Sequence, residues 1–200
     1  MHGPPKKTTT TPCRSWREAL TCSPQNMETK RSVSSKSSEK QQISIAGAGN
    51  RLISHDRIGP RVLRLIRDRY GPGVELCDIG TSGLRLLDYL HDQALLIVID
   101  ACLMNEAPGT IRVIEPDLDA PGTELVANGI AGRSVLNTSI HQIGPLETLV
   151  IARRLYEENM PRRVLVIMVE TRDIDAMTER AACRKVVEIL DREIGLCRIQ

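Results

Sequence analysis

Three short polar clusters hold the residues whose types could carry out chemistry together. His55-Asp56 follows an apolar segment and its Gly47-Ala48-Gly49-Asn50 turn, Asp100 directly follows the apolar run 94–99, and His141 ends a long irregular stretch. Two carboxylates and one imidazole form an oxygen and nitrogen ligand set that suits Zn²⁺ or Ni²⁺ and leaves coordination positions open. The sequence therefore indicates a candidate divalent-metal site formed by Asp56, Asp100 and His141.

Each of these residues taken alone also has an ordinary structural interpretation. Asp56 could cap the helix that follows it, which is a frequent role for aspartate. Asp100 could be a cap or an ion-pair partner, and His141 could be a loop histidine. The metal hypothesis depends on all three meeting at one edge of one sheet.

The glycine turn at residues 47–50 permits a second hypothesis, nucleotide binding. A dinucleotide fingerprint GxGxxG requires glycine at position 52, where this chain has Leu52. The nearest suitable carboxylate, Asp78, lies 29 residues beyond Gly49, so the motif is only partial. A partial GxG is a weak signal, and nucleotide binding stays an alternative.

Alternating apolar patterns predict the elements that position these clusters. Strands are expected at 43–46, 74–77, 94–99, 110–114 and 164–169, and helices at 58–70, 84–90, 145–158 and 175–193. The run 94–99 is continuously apolar, as in a strand buried on both faces of a parallel sheet. The order predicts a three-layer α/β/α fold with a mostly parallel twisted central sheet of about five strands. In such sheets ligands bind at the carboxyl ends of the strands, where all three clusters are expected.

The first 41 residues differ in composition from the rest of the chain. They carry eight Lys or Arg and three Asp or Glu, whereas the whole 200-residue chain has a net charge of +2. They are rich in Ser and Thr and lack spaced apolar residues, so we predict a disordered basic extension before a domain at 42–200. A transit peptide and an over-extended start are both compatible with this composition. Deletion of the extension is expected to leave the thermal stability of the domain unchanged.

Composition also limits the classes of protein to which this chain can belong. The net charge is too small for a nucleic-acid or membrane-surface protein, and no apolar run approaches the roughly 18–20 residues that a membrane span needs. The six cysteines show no CxxC pair, which is typical of reduced cytosolic thiols. Cys77 and Cys102 are expected to be packed thiols. We therefore predict a cytoplasmic protein without nucleic-acid or membrane partners.

Four sequence blocks, taken in order, resemble the hydrogenase maturation peptidase family. The first resembles the family's GxGNxL…(D/E)xxG pattern, the second its D-G-G-T-x-G-x-x-L-L block, the third its (I/V)-D-A block and the fourth its S-x-H-x-x-G block. In this chain they are Gly47-Ala48-Gly49-Asn50-Arg51-Leu52 with Asp56 and Gly59, then Asp78-Ile79-Gly80-Thr81-Ser82-Gly83-Leu84, then Ile99-Asp100-Ala101, then Ser139-Ile140-His141-Gln142-Ile143-Gly144. Together the blocks cover roughly residues 43–170.

This resemblance implies an endopeptidase that removes the C-terminal extension of a nickel-loaded [NiFe] hydrogenase large-subunit precursor. It implies that Asp56, Asp100 and His141 bind the metal, and that this metal is nickel carried by the substrate. Zinc or another divalent ion could occupy the same ligands. Metal-assisted hydrolysis is the expected chemistry, with Asp78 either a possible base or a structural cap.

Two departures from the family pattern accompany the resemblance. His55 occupies the place of the usual first acidic residue, and Ile79 replaces the first glycine of the second block. A binding module of the same fold that recognises metal-loaded partners without cutting them is the main alternative. A nucleotide-binding enzyme is a weaker one.

Overall fold

The computed structural model describes residues 43–119 and 143–198. Within them, five strands form one sheet: β1 Ile43–Ala48, β2 Val74–Gly80, β3 Leu95–Cys102, β4 Ile111–Ile114 and β5 Val164–Glu170. The sheet order is β2-β1-β3-β5-β4. All neighbouring pairs are parallel except β4 with β5, which is antiparallel. The predicted mostly parallel sheet is therefore confirmed.

Helices cover both faces of this sheet. The α-helices are α1 Ile58–Leu65, α2 Pro145–Leu155 and α3 Ala176–Cys197, and the 3₁₀ helices are Ser54–Asp56, Gly83–Tyr89 and Glu157–Asn159. One buried cluster packs α1 and α3 against one face, with Ile58, Val62 and Val186 among its members. A second cluster packs α2 and the 3₁₀ helix Gly83–Tyr89 against the other face, with Leu86 and Leu149. The predicted three-layer α/β/α arrangement follows from these two cores.

Several predicted boundaries differ from the observed ones. The helix predicted at 84–90 is a 3₁₀ helix, and the helix predicted at 58–70 ends at Leu65. The chain after Leu65 tightens into a turn in which the Arg69 N–H donates to the Ile66 carbonyl. Helix α3 continues to Cys197, because its apolar face still has the sheet to cover.

The end of β3 is the boundary that affects the site. The apolar pattern predicts that the strand ends before Asp100, but the strand continues to Cys102. The reason is that β5 continues beside it, with Asp100 opposite Met168 and Cys102 opposite Glu170. Asp100 therefore lies inside a paired strand, where its backbone is held by the sheet.

The long irregular stretch predicted at 117–139 falls mostly at 120–142, outside the described residues, as does His141. The predicted extension at 1–41 also lies outside them. In the parts of the chain that are described, no helix is both long enough and apolar enough to cross a membrane.

Candidate functional site

The turn after β1 folds back onto the backbone and side chain of Asp56. The Asn50 N–H donates to the Asp56 carbonyl oxygen at 2.7 Å and also to Asp56 Oδ2 at 3.0 Å. Gly49 has a φ of +123°, and a Cβ added there would lie 2.0 Å from the Asp56 carbonyl oxygen. Only glycine fits this close approach. The glycine motif therefore fixes the position of the Asp56 carboxylate.

The same bonds argue against the nucleotide hypothesis. A phosphate-binding glycine loop needs backbone N–H groups free to face the ligand. Here the Gly49 N–H donates to the Gly80 carbonyl at 2.8 Å, and the Asn50 N–H is committed to Asp56. The N–H groups of Gly49 and Asn50 are therefore already used within the protein.

The start of α1 brings the Asp56 turn against β3. A Cβ added at Gly59 would lie 2.3 Å from the Ala48 carbonyl oxygen and 2.8 Å from the Ile99 carbonyl oxygen. Gly59 follows Asp56 by three residues, and Ile99 precedes Asp100. The absence of a side chain at Gly59 thus allows the Asp56 turn to approach the carboxyl end of β3 closely.

The carboxyl group of Asp100 is the most perturbed acidic group at this edge. Burial raises the pKa of Asp100 to about 7, the backbone N–H of Ala101 opposes that rise, and the nearby charges of Asp56 and Glu147 add to it. The Ala101 N–H donates to Asp100 Oδ1 at 2.8 Å. The charges of Asp56 and Glu147 therefore act on the Asp100 carboxyl group, and a bound cation would offset this repulsion.

Glu147 is a site residue that the sequence pattern does not single out. It lies in the first turn of α2, where acidic residues commonly complement the helix dipole, so its type and position give no functional signal. A Cβ added at Gly144 would lie 2.6 Å from Glu147 Oε2, so the carboxylate folds back over the start of the helix.

The segment that enters α2 also lies near this edge. A Cβ added at Gly83 would lie 2.3 Å from the carbonyl carbon of Gly144 and 2.6 Å from the Ile143 carbonyl oxygen. Gly83 begins the 3₁₀ helix that follows β2. The start of α2 therefore packs beside the carboxyl end of β2.

The third predicted ligand, His141, lies outside the described residues. Within residues 43–119 and 143–198, no group of three His, Cys, Asp or Glu side chains has the geometry to hold a metal ion. The described part thus contributes Asp56 and Asp100 as candidate ligands, and the three-ligand set stays a prediction. His55 is exposed beside Asp56 in the same 3₁₀ turn.

Asp78 has structural partners for both of its carboxylate oxygens. Its Oδ1 accepts a hydrogen bond from the Gly80 N–H at 3.1 Å, and its Oδ2 forms an ion pair with Arg51. These contacts favour the capping role over the role of general base.

The two cysteines near the site are poor nucleophiles. Burial raises the pKa of the Cys77 and Cys102 thiols well above the ordinary value. A thiol reacts as its thiolate, so these protonated groups are unsuited to attack. Their role in packing, expected from the sequence, agrees with the burial of Cys77 and with the contact of both residues with the α2-side core.

Comparisons with known proteins agree with this architecture. The family model for hydrogenase maturation protease matches residues 60–192, which is more than half of the chain. The chain is 30% identical over 135 residues to the hydrogenase expression/formation protein HoxM of Azotobacter vinelandii, covering 66% of this chain and 59% of that protein. It is also 30% identical over 129 residues to the hydrogenase 2 maturation protease of Escherichia coli K12, covering 63% of this chain and 71% of that protein.

A solved structure has the same fold. The hydrogenase maturating endopeptidase HybD of E. coli superposes with a TM-score of 0.56 at 24% identity, covering 76% of this chain and 93% of that chain. The chain spans about three fifths of the length of its HoxM relative from A. vinelandii. On the match of the family model, the chain belongs to the hydrogenase maturation protease family.

Proposed function

We propose that this protein is an endopeptidase that removes the C-terminal extension of a nickel-loaded [NiFe] hydrogenase large-subunit precursor. The observation that carries the proposal is the close packing of the Asp56 turn against the carboxyl end of β3, in a chain of this family. Gly59, three residues after Asp56, lies against the carbonyl oxygen of Ile99, the residue before Asp100, which supports a site shared by the two carboxylates. The glycine turn that fixes Asp56 is the element expected from the sequence.

The nickel ion belongs to the substrate in this proposal. Asp56 and Asp100 supply two carboxylates to it, and His141 is proposed as the third ligand. Support for His141 comes from Gly144, three residues further along the chain, which packs against Gly83 beside the same edge. Two carboxylates and an imidazole leave positions open for ligands supplied by the precursor.

The chemistry we propose is metal-assisted hydrolysis. A divalent ion polarises a carbonyl group or activates a water molecule. The contribution of this chain is to hold the ion through its carboxylates, and the positive charge of the ion would in turn favour their unprotonated form. The negative field from Asp56, Asp100 and Glu147 favours capture of a cation and opposes binding of an anion.

A cytoplasmic location is part of the proposal. The described cysteines Cys77, Cys102, Cys183 and Cys197 are all free thiols. Unpaired cysteines are typical of proteins in a reducing compartment.

The experiment that tests the function compares nickel-loaded and nickel-free precursor as substrates. Each form is incubated with the purified protein, and the large subunit is weighed by intact-mass spectrometry. The expected result is a C-terminal mass loss for the nickel-loaded form alone. Efficient cutting of the nickel-free form would show that nickel is not the recognition element, and binding without any mass loss would favour the non-catalytic alternative.

Matched variants connect the activity to the site. Asp56→Asn and His141→Ala are expected to abolish the mass loss while the fold is retained. Asp68→Asn is the control, since Asp68 is exposed and lies away from the sheet edge. Cutting by His141→Ala at the wild-type rate would remove His141 from the site.

A further inference from the structure

A cavity of about 560 Å³ lies beside the candidate site and is lined mainly by arginine. We call it the arginine cavity, and its guanidinium groups are Arg51, Arg57, Arg61, Arg64, Arg67 and Arg180. Asp78 is the one acidic residue among its described lining residues. Its size lies within the range of roughly 300–1,000 Å³ that is usual for ligand sites.

Only part of this positive charge is balanced within the described structure. Arg57 and Arg61 share the buried carboxylate of Glu179, and Arg51 is paired with Asp78. Arg64, Arg67 and Arg180 are exposed. In the described part of the chain these three have no ion-pair partner, so three guanidinium groups are available for an anionic ligand.

The arginine cavity adjoins the carboxyl edge of the sheet. Arg57 directly follows Asp56 in the chain. Arg51 and Asp78 line both the cavity and a shallower depression that also contains Gly49 and Asn50. The cavity and the depression therefore adjoin, and the depression reaches Asn50, whose N–H donates to Asp56.

The lining chemistry indicates what the cavity would bind. Guanidinium groups recognise carboxylates through two parallel N–H···O bonds. Pro60, Leu63 and Leu76 add apolar wall against which methylene groups of a side chain can pack. No aromatic residue is found among the described lining residues, so the cavity lacks the aromatic platform on which nucleobases commonly stack. Several separate guanidinium groups beside an apolar wall suit an acidic peptide, which carries several carboxylates on a chain with methylene groups.

We propose that the arginine cavity binds an acidic segment of the polypeptide substrate and thereby orients the precursor across the metal site. This inference rests on the proposed function for the identity of the polypeptide. The recognition chemistry itself, several carboxylates on a peptide chain, rests on the cavity alone. Charge complementarity of this kind chiefly sets specificity and the rate of encounter.

A binding experiment on the full chain tests the ligand chemistry without any precursor. Fluorescein-labelled hexaglutamate and hexaglutamine peptides are titrated with the protein, and Kd is measured by fluorescence anisotropy at low and at about 0.5 M salt. Hexaglutamate is expected to bind at least about tenfold more tightly than hexaglutamine at low salt, with a loss of affinity at high salt.

Two triple variants locate the binding. Arg64→Gln/Arg67→Gln/Arg180→Gln is expected to weaken hexaglutamate binding at least about tenfold. The control Arg154→Gln/Lys185→Gln/Arg198→Gln removes the same number of positive charges from exposed residues outside the cavity lining. Equal affinities of the two triple variants would overturn the inference, because net charge alone would then explain the binding. Tighter binding of inorganic phosphate than of hexaglutamate would also overturn it.

The precursor assay distinguishes failure of the cavity assignment from failure of the proposed function. The cavity variant is expected to raise the KM for nickel-loaded precursor at least about fivefold relative to the control variant. Cleavage with identical KM for both variants would overturn the cavity inference and leave the proposed function standing. Cavity-dependent hexaglutamate binding without any precursor cleavage would refute the function and leave the assignment of the cavity to acidic peptides intact.

Discussion

Arg57 and Glu179 lie 122 residues apart in the sequence and form a two-pronged ion pair across the α1 side of the sheet. Arg57 Nε donates to Glu179 Oε1 at 2.8 Å, and Arg57 Nη2 donates to Glu179 Oε2 at 2.7 Å. Glu179 is only 1% exposed and also pairs with Arg61. Because Arg57 follows Asp56, the first turn of α3 is tied to the turn that carries the candidate ligand.

Removal of the Glu179 charge is expected to destabilise the fold. Glu179→Gln leaves two arginines near a desolvated position without their counter-ion, which should lower the free energy of unfolding by roughly 2–3 kcal/mol. Urea denaturation at pH 7 measures this change. The matched control is Asp191→Asn, which removes the more exposed pair that Asp191 makes with Arg69 and should cost under about 1 kcal/mol. Equal costs for the two variants would contradict the special role of the buried pair.

The same ion pair predicts how stability depends on pH. The hydrogen bond from Arg57, together with Arg61, holds the pKa of Glu179 below its ordinary value of 4.5. The folded state thus binds a proton at Glu179 less readily than the unfolded state does. The stabilisation by the ion pair is therefore fully present above about pH 4.5 and is lost as the pH falls through the lowered pKa of the folded state. The difference in the free energy of unfolding between the wild type and Glu179→Gln should therefore decrease from pH 6 to pH 3 in urea titrations. A difference that stays constant over this range would contradict the argument.

Gly49→Ala is expected to disturb the fold and the site together. Alanine at position 49 would have to adopt a φ of +123°, and its Cβ would lie 2.0 Å from the Asp56 carbonyl oxygen. We expect a loss of at least about 2 kcal/mol of stability, combining backbone strain with displacement of the Asp56 turn, and a loss of precursor processing. Gly73→Ala is the matched control, since a Cβ there meets no atom within 4 Å. Its stability should stay within about 0.5 kcal/mol of wild type by thermal denaturation.

Much of this fold could be predicted because most of its strands and helices carry a local pattern of apolar residues. The continuous apolar run 94–99 predicts a strand buried on both faces, and β3 occupies the centre of the sheet. The extent of β3 could not be predicted, since pairing with β5 depends on residues some 70 positions away. The 3₁₀ geometry of Gly83–Tyr89 likewise has no signature in its apolar pattern.

Some charged residues at and around the candidate site could likewise be singled out from the sequence, and others could not. Asp56 could be singled out because the glycine turn before it has a recognisable spacing. Glu147 and Glu179 could not, since an acidic residue in the first turn of a helix has an ordinary explanation in the helix dipole. What distinguishes them is the charged side chains that lie near each of them in the folded structure. His141 lies outside the described residues, so its place in the site stays a prediction.

Asp100→Asn is expected to abolish processing and yet to stabilise the protein in the absence of metal. Burial and the charges of Asp56 and Glu147 raise the folded pKa of Asp100 to about 7, far above the ordinary 3.8, so the carboxyl group costs stability as pH rises from about 4 through 7. Asparagine removes that charge at pH 8 while its side-chain oxygen can still accept the hydrogen bond from the Ala101 N–H. We expect the free energy of unfolding at pH 8 to rise by at least about 1 kcal/mol, because a shift of one pKa unit corresponds to roughly 1.4 kcal/mol. The gain should vanish near pH 3, below the pKa of Asp100 in both the folded and the unfolded state, where both hold the proton.

Urea denaturation at pH 3 and pH 8 measures the stability, with Asp68→Asn as the exposed control, and intact-mass spectrometry of nickel-loaded precursor measures the processing. A variant less stable than wild type at pH 8 would show that Asp100 is a structural anchor, and a variant that still processed precursor would show that its charge is not needed to hold the metal.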